Sequence, residues 1–113
     1  MKLIEIGTRN AFKVGSSLGF FVPRTWLAEN QVDFGDQVWV QCSAVSQDVR
    51  YYLSDGPGRV PVTVQRRHPK KPVMVIPSEA VKLLGIVAQT PLVLYTIPAG
   101  TLVVRVRVLT GTL

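Results

Sequence analysis

The side chains of this sequence that are best suited to chemistry are cationic, and the chemistry they suit is the binding of phosphate groups. No Asp or Glu occurs between Gly7 and Ala28, or between Arg59 and Ser78. Eight of the thirteen Lys and Arg residues fall in these two windows. Neutralising phosphates with such side chains releases condensed counterions, which favours a nucleic acid as the partner. The eight are Arg9, Lys13, Arg24, Arg59, Arg66, Arg67, Lys70 and Lys71.

Composition predicts a small folded chain that is mainly β. The 113 residues are 47% apolar and 18% charged, with a formal net charge of +6, which is typical of a folding chain and not of a disordered one. Eight prolines and nine glycines predict many short elements joined by turns. The abundant valines favour strands. A net positive charge of this size on a small domain indicates a polyanionic partner, although it also suits a merely soluble surface.

Residues for catalysis or metal binding are few. Cys42 is the single cysteine and His68 the single histidine, so we expect neither a disulfide nor a metal site. The seven carboxylates show no pairing pattern, and no glycine-rich phosphate loop is present. We therefore expect no enzyme activity and no cofactor.

The sequence carries no signal for a membrane. Residues 1–10 include Glu5 and have no uninterrupted apolar stretch, which is unlike a signal peptide or an anchor. No segment approaches the ~20 apolar residues that a spanning helix needs. We expect a cytoplasmic, nucleoid-associated protein.

The sequence contains two copies of the same order of elements. Sliding the sequence by 54 positions places Pro23 on Pro77 within a common order of apolar run, proline, short helix, turn and strand. Each proline suits the first turn of a helix, and we expect the helices to end near Asn30 and Gly85. The hydrophobic phase of the final strands requires hairpin turns of different length, and a second turn longer by one residue restores the match. We predict a first repeat at 1–55, a linker at 56–59 and a second repeat at 60–113.

The first copy also resembles a known family. The segment Phe12–Arg24 (FKVGSSLGFFVPR) is similar to the start of AbrB/SpoVT-type and MazE-type swapped-hairpin DNA-binding domains, and Val32–Val38 (VDFGDQV) resembles the turn before their last hairpin. The second copy follows in outline only, because Pro69-Lys70-Lys71 stands in place of Gly15-Ser16-Ser17 and Gln89-Thr90 in place of Gly35-Asp36.

The resemblance implies a fold and a set of contacts. It implies a swapped-hairpin (double-split) β-barrel made of two β-β-α-β-β repeats, either as a pseudo-dimer within one chain or as a domain-swapped dimer or larger homo-oligomer. Because Ser78 stands where Arg24 would recur, the two halves are not expected to contact DNA equivalently. The DNA contacts carried over by position are Arg9, Lys13, Ser16, Ser17, Arg24, Arg66, Arg67, Lys70 and Lys71.

These observations predict a transcriptional regulator or nucleoid-associated protein that binds double-stranded DNA through basic loops. The simpler alternatives are that residues 66–71 form only a solvated loop and residues 15–17 only a tight turn. One alternative function is an antitoxin that binds a toxin protein, although Thr101–Leu113 lacks the acidic tail typical of such partners. Another is an assembly or scaffold module, for which the valine-rich last strand would be an uncovered edge.

Overall fold

The computed structural model describes residues 2–67 and 70–107, and its architecture is mainly β. Two antiparallel sheets and two short helices are formed by equal contributions from the two halves of the sequence. The first half contributes β1 (Ile4–Asn10), β2 (Phe12–Val14), β3 (Ser17–Phe21), α1 (Arg24–Glu29), β4 (Gln37–Ser43) and β5 (Asp48–Tyr52). The second contributes β6 (Val60–Thr63), β7 (Gln65–Arg67), β8 (Lys71–Ile76), α2 (Ser78–Leu84), β9 (Pro91–Thr96) and β10 (Leu102–Val106).

Both sheets combine strands of the two halves. The six-stranded sheet, here the large sheet, has the order β1-β9-β10-β5-β4-β6, and the four-stranded small sheet has the order β2-β3-β8-β7. In the large sheet the first strand of each half pairs with the hairpin of the other half, β1 with β9 and β6 with β4. Within the described residues neither sheet closes on itself.

The pairing registers relate the halves by an approximate twofold axis. At the centre of the small sheet Phe20 pairs with Met74, and these residues occupy equivalent positions in the two repeats. At the centre of the large sheet the equivalent residues Arg50 and Val103 pair in the same way. Where a residue of one repeat pairs with the equivalent residue of the other, the twofold axis passes between them. The two halves are interlocked about this axis, because each pairs its first strand with the hairpin of the other.

The first strand of each repeat is bent from one sheet into the other. Ala11 separates β1 from β2, Val64 separates β6 from β7, and both side chains are buried. The backbone at each bend is held by a turn of the opposite half. Ala11 donates to the Thr90 carbonyl at 2.9 Å, and Val64 donates to the Asp36 carbonyl at 2.9 Å. Strands commonly switch sheets at such bends. Before the bend each strand pairs with the hairpin of the other half in the large sheet, and after the bend it belongs to the small sheet.

The helices begin and end as the sequence predicts. Pro23 and Pro77 directly precede α1 and α2, and Gly85 ends α2 in the left-handed conformation with φ +66°. Helices of six and seven residues are too short to be stable alone. Trp26 supplies part of the needed packing, because its side chain is buried and its Nε1 donates to the Gly100 carbonyl of the other half at 2.9 Å.

The core between the two sheets is apolar. Among the described residues the buried polar side chains are Thr101 and Asp48, and Asp48 points to the opposite face of β5 from the core residue Val49. Phe20 packs edge-on to Tyr51 with ring centroids 5.6 Å apart. The carboxylate of Asp48 is fully buried and forms ion pairs with Arg50 at 3.2 Å and Arg105 at 3.4 Å. Burying a charge requires such partners, so the Asp48 cluster joins the two central strands of the large sheet.

Two expectations about the hairpins are wrong. The predicted longer turn is in the first hairpin and not in the second, since Ser43 pairs with Asp48 across four residues. In the second hairpin Ile97 bonds to Thr101 across three. The expected uncovered last strand, β10, lies between β9 and β5 with Leu102 and Val103 buried, so its described part offers no edge. The opposite hydrophobic phase of the two final strands shows that the two turns differ in length by one residue, but it does not show which turn is longer.

In the described part of the chain, no helix is both long and apolar enough to cross a bilayer.

Candidate nucleic-acid interface

A cationic groove lies where the two halves meet, beside the small sheet. It encloses about 460 Å³ and is lined by Arg9, Arg24 and Lys71 together with the apolar side chains of Phe21 and Pro72, among others. Arg9 comes from the end of β1, Arg24 from the first position of α1 and Lys71 from the start of β8. The interlocking of the halves therefore brings together three cations that are up to 62 positions apart in the sequence. We call this cavity the basic groove.

Hydrogen bonds to backbone carbonyls fix two of these side chains. The Nε of Arg9 donates to the Phe21 carbonyl at 3.0 Å and its Nη1 to the Thr8 carbonyl at 2.7 Å. The Nη2 of Arg24 donates to the Lys70 carbonyl of the other half at 2.9 Å. Because each bond uses only some of the five N–H donors of a guanidinium, both arginines retain donors for a phosphate.

Two phenylalanines extend the basic groove across the exposed face of the small sheet. Phe12 and Phe21 pack with ring centroids 4.5 Å apart. The Nζ of Lys71 lies 5.3 Å from the Phe21 ring centre, and the guanidinium carbon of Arg67 lies 5.0 Å from that of Phe12. Arg67 also donates to the Lys13 carbonyl at 3.3 Å. The phenylalanine pair of the first half thus positions two cations of the second half, Lys71 and Arg67, along one continuous surface.

The basic groove and this surface contain five of the nine predicted contacts. Strand alternation turns Arg67 and Lys71 to the outer face of the small sheet, because they are register partners in β7 and β8. The exposed residue Lys70 adjoins the groove, where its backbone carbonyl accepts from Arg24. The five contacts are Arg9, Arg24, Arg67, Lys70 and Lys71.

The other four predicted contacts, Lys13, Arg66, Ser16 and Ser17, lie elsewhere. The side chain of Lys13 leaves β2 on the opposite face from that of Phe12, because Lys13 pairs with Leu18 and Phe12 with Gly19. Arg66 leaves β7 on the opposite face from Arg67, and its guanidinium carbon is 5.8 Å from the ring centre of Phe34. Ser16 and Ser17 lie beside the start of α2, in a smaller cavity of about 180 Å³ that also includes Ser78. We call this cavity the serine groove. His68 and Pro69, which share the predicted basic loop, lie outside the described residues.

In the part of the chain that the structure describes, no carboxylate lines the basic groove. Within residues 2–67 and 70–107 the ion pairs are Arg50 with Asp48 and Arg105 with Asp48, so none involves the five clustered cations. Opposite charges that would neutralise the groove are therefore lacking among the described residues. Such a surface attracts a polyanion over distances of the order of the Debye length, about 8–10 Å at physiological salt.

Sequence reasoning missed Phe12 and Phe21 as parts of this surface. Both were apolar positions in strands, which fit equally well with burial in the core. Phe12 and Phe21 are half-exposed because they lie on the outer face of the small sheet, while the buried Phe20 and Met74 lie on its opposite face. The alternation of Phe20 and Phe21 along β3 was the available signal, because successive side chains point to opposite faces.

Other titratable groups do not gather into a site. The Cys42 thiol donates to the Glu79 carboxylate at 3.3 Å; burial, followed by this neighbour, raises the pKa of Cys42. Among the described residues no three His, Cys, Asp or Glu side chains lie close enough together to hold a metal ion.

Comparisons with models of protein families, with curated proteins and with solved structures found no match to this chain.

Proposed function

We propose that this protein binds double-stranded DNA through the basic groove, and that it acts as a transcriptional regulator or nucleoid-associated protein. The observation that carries the proposal is the convergence of Arg9, Arg24 and Lys71 from both halves around one cavity without a carboxylate in its lining. Cations distributed only for solubility would have no reason to converge from three distant sequence positions.

The groove suits a phosphate backbone because it combines fixed and flexible donors. The guanidinium groups of Arg9 and Arg24 are oriented by their carbonyl bonds, and a planar guanidinium can bind a phosphate through two N–H groups. Lys71 and Lys70 add mobile ammonium groups. Arg67, over the Phe12 ring, gives a further cation along which a backbone can lie. Phosphate contacts of this kind position a duplex without reading its sequence.

The proposed fold is the swapped-hairpin arrangement, formed as a pseudo-dimer within one chain. Three observations support it: the exchange of β1 and β6 between the halves, the approximate twofold pairing, and the resemblance of residues 12–24 and 32–38 to this family. In this proposal the barrel wall comprises the large and small sheets, joined by the bends at Ala11 and Val64. A DNA-binding role agrees with the same resemblance.

The test is the binding of a labelled duplex of about 25 base pairs, followed by fluorescence anisotropy at several salt concentrations. We expect the logarithm of the association constant to fall linearly with that of salt, by about 0.9 for each phosphate contacted. The double variant Arg24→Ala/Lys71→Ala should bind more weakly at low salt and reduce the slope by about 2.

A matched control removes the same charge elsewhere. Lys2→Ala/Lys82→Ala changes two exposed lysines that do not line the basic groove. It should retain the parent slope. Equal losses in the two double variants, or no binding by the parent at low salt, would contradict the proposal. Tighter binding of duplex RNA than of DNA in the same assay would also contradict it, by changing the class of partner.

A further inference from the structure

The basic groove and the serine groove occupy equivalent positions about the approximate twofold axis. In each, the loop before the central strand of the small sheet in one half faces the start of the helix in the other half. Ser17 and Lys71 begin β3 and β8, and Ser78 and Arg24 begin α2 and α1. Lys71 therefore corresponds to Ser17, and Arg24 corresponds to Ser78.

The third cation of the basic groove has no charged counterpart either. Arg9 pairs with Leu92 in the large sheet, and the equivalent pair on the other side is Val62 with Val38. All three cations of the basic groove thus correspond to uncharged residues, of which Ser17 and Ser78 line the serine groove. The serine groove is also smaller, about 180 Å³ against about 460 Å³. The backbone is nearly symmetric, while the cations that line a groove lie on one side.

We infer that the chain contacts a duplex through one groove only, on one side of its twofold axis, and so binds DNA as an asymmetric, directional module. This inference rests on the proposed function. A symmetric dimer of identical halves would present two equal grooves and would suit a site with dyad symmetry. Here the second groove offers hydroxyl groups without charge, which release no counterions from a phosphate backbone.

The inference is tested by giving the serine groove the missing cations in the full chain. Ser17→Lys/Ser78→Arg copies Lys71 and Arg24 onto their equivalent exposed positions. We expect this variant to gain phosphate contacts. The gain should appear either as a salt slope steeper by about 2 or as a second duplex bound per chain in a stoichiometric titration.

Two further variants complete the test. Ala44→Lys/Ala88→Arg adds the same charge at exposed positions that line neither groove, and it should leave slope and stoichiometry close to those of the parent. Ser17→Ala/Ser78→Ala removes only the hydroxyl groups and should bind as the parent does.

The inference would be overturned if the Lys/Arg graft matched its charge control, or if Ser17→Ala/Ser78→Ala weakened binding as much as Arg24→Ala/Lys71→Ala. Either result would mean that the serine groove already contacts the duplex or that a groove is not what binds it. Failure of the proposed function is distinguishable, because it appears in the parent and in Arg24→Ala/Lys71→Ala before any graft is made.

Discussion

Arg66 and Arg67 are neighbours on β7, yet their side chains leave the strand on opposite faces. Arg67 lies over Phe12, whereas Arg66 lies near Phe34 on the other face. The two residues carry the same charge on the same strand. Any difference between their effects on DNA binding therefore comes from the face of the small sheet on which each side chain lies.

We expect Arg67→Ala to weaken duplex binding several-fold and to reduce the salt slope by about 1, because it removes one cation from the proposed path of the backbone. Arg66→Ala should change the slope by much less and serves as the control. The measurement is the anisotropy titration at several salt concentrations. Equal effects of the two substitutions would show that the outer face of the small sheet is not the binding surface.

Tyr51 gives a second prediction at the residue scale, concerning stability. Its ring is fully buried and its hydroxyl donates to the Val75 carbonyl at 2.9 Å. Burial raises the pKa of Tyr51 far above its ordinary value, whereas in the unfolded chain the phenol ionises near pH 10. The protonated phenol therefore stabilises the folded state below about pH 10, and this contribution is lost as the pH rises above that value.

Tyr51→Phe should cost about 1 kcal/mol in free energy of unfolding at pH 7, because the hydrogen bond is lost. Above about pH 10 the difference between parent and variant should shrink, since Phe has no proton to lose. Urea unfolding of both proteins at pH 7 and at about pH 11 measures this. A difference that stays constant across this range would contradict the account of Tyr51.

At the scale of elements, the turns depend on glycines in the left-handed conformation, and two of them form a matched pair. Gly35 has φ +87° and open space around a built Cβ, while Gly100 has φ +89° and faces the side chains of Asn30 and Leu53. The Cβ of an alanine at Gly100 would lie 2.7 Å from the Leu53 Cδ1, which is too close.

Gly35→Ala should therefore cost about 1 kcal/mol of stability, from backbone strain alone. Gly100→Ala should cost about 0.5–1.5 kcal/mol more, because the ends of the Asn30 and Leu53 side chains must also shift. Thermal or urea unfolding of both variants gives the comparison. Equal losses would mean that the β9–β10 turn adjusts freely and does not hold the Trp26 side chain in place.

At the scale of the whole molecule, the sequence predicted the local elements better than their arrangement. The positions of Pro23 and Pro77 located both helices, because proline has a strong local preference for the first helical turn. Ala11 and Val64 gave no local sign that a strand would bend there into a second sheet, since that bend depends on backbone bonds to the other half. The repeat alone did not show that β1 pairs with β9 and β6 with β4.

The same distinction applies to the candidate site. Segments free of carboxylates located the cations, but only the tertiary structure separates Arg67 from Arg66. Only the interlocked halves bring Arg24 to Lys70, 46 positions away. The difference between the basic groove and the serine groove was visible in part, as Ser78 in place of Arg24 and as Lys71 in place of Ser17. Its extension to Val62 required the pairing registers.

The most direct test of the central claim is an NMR titration of the isotopically labelled full chain with a short DNA duplex, following backbone amide shifts. The account predicts shift changes centred on Arg9, Phe21, Arg24 and Lys71 and extending to Lys13 and Arg67. These changes should diminish as salt is added. Shift changes confined to other surfaces, such as the β9–β10 turn or the loop of Asp33–Asp36, would contradict the claim that the basic groove binds the duplex.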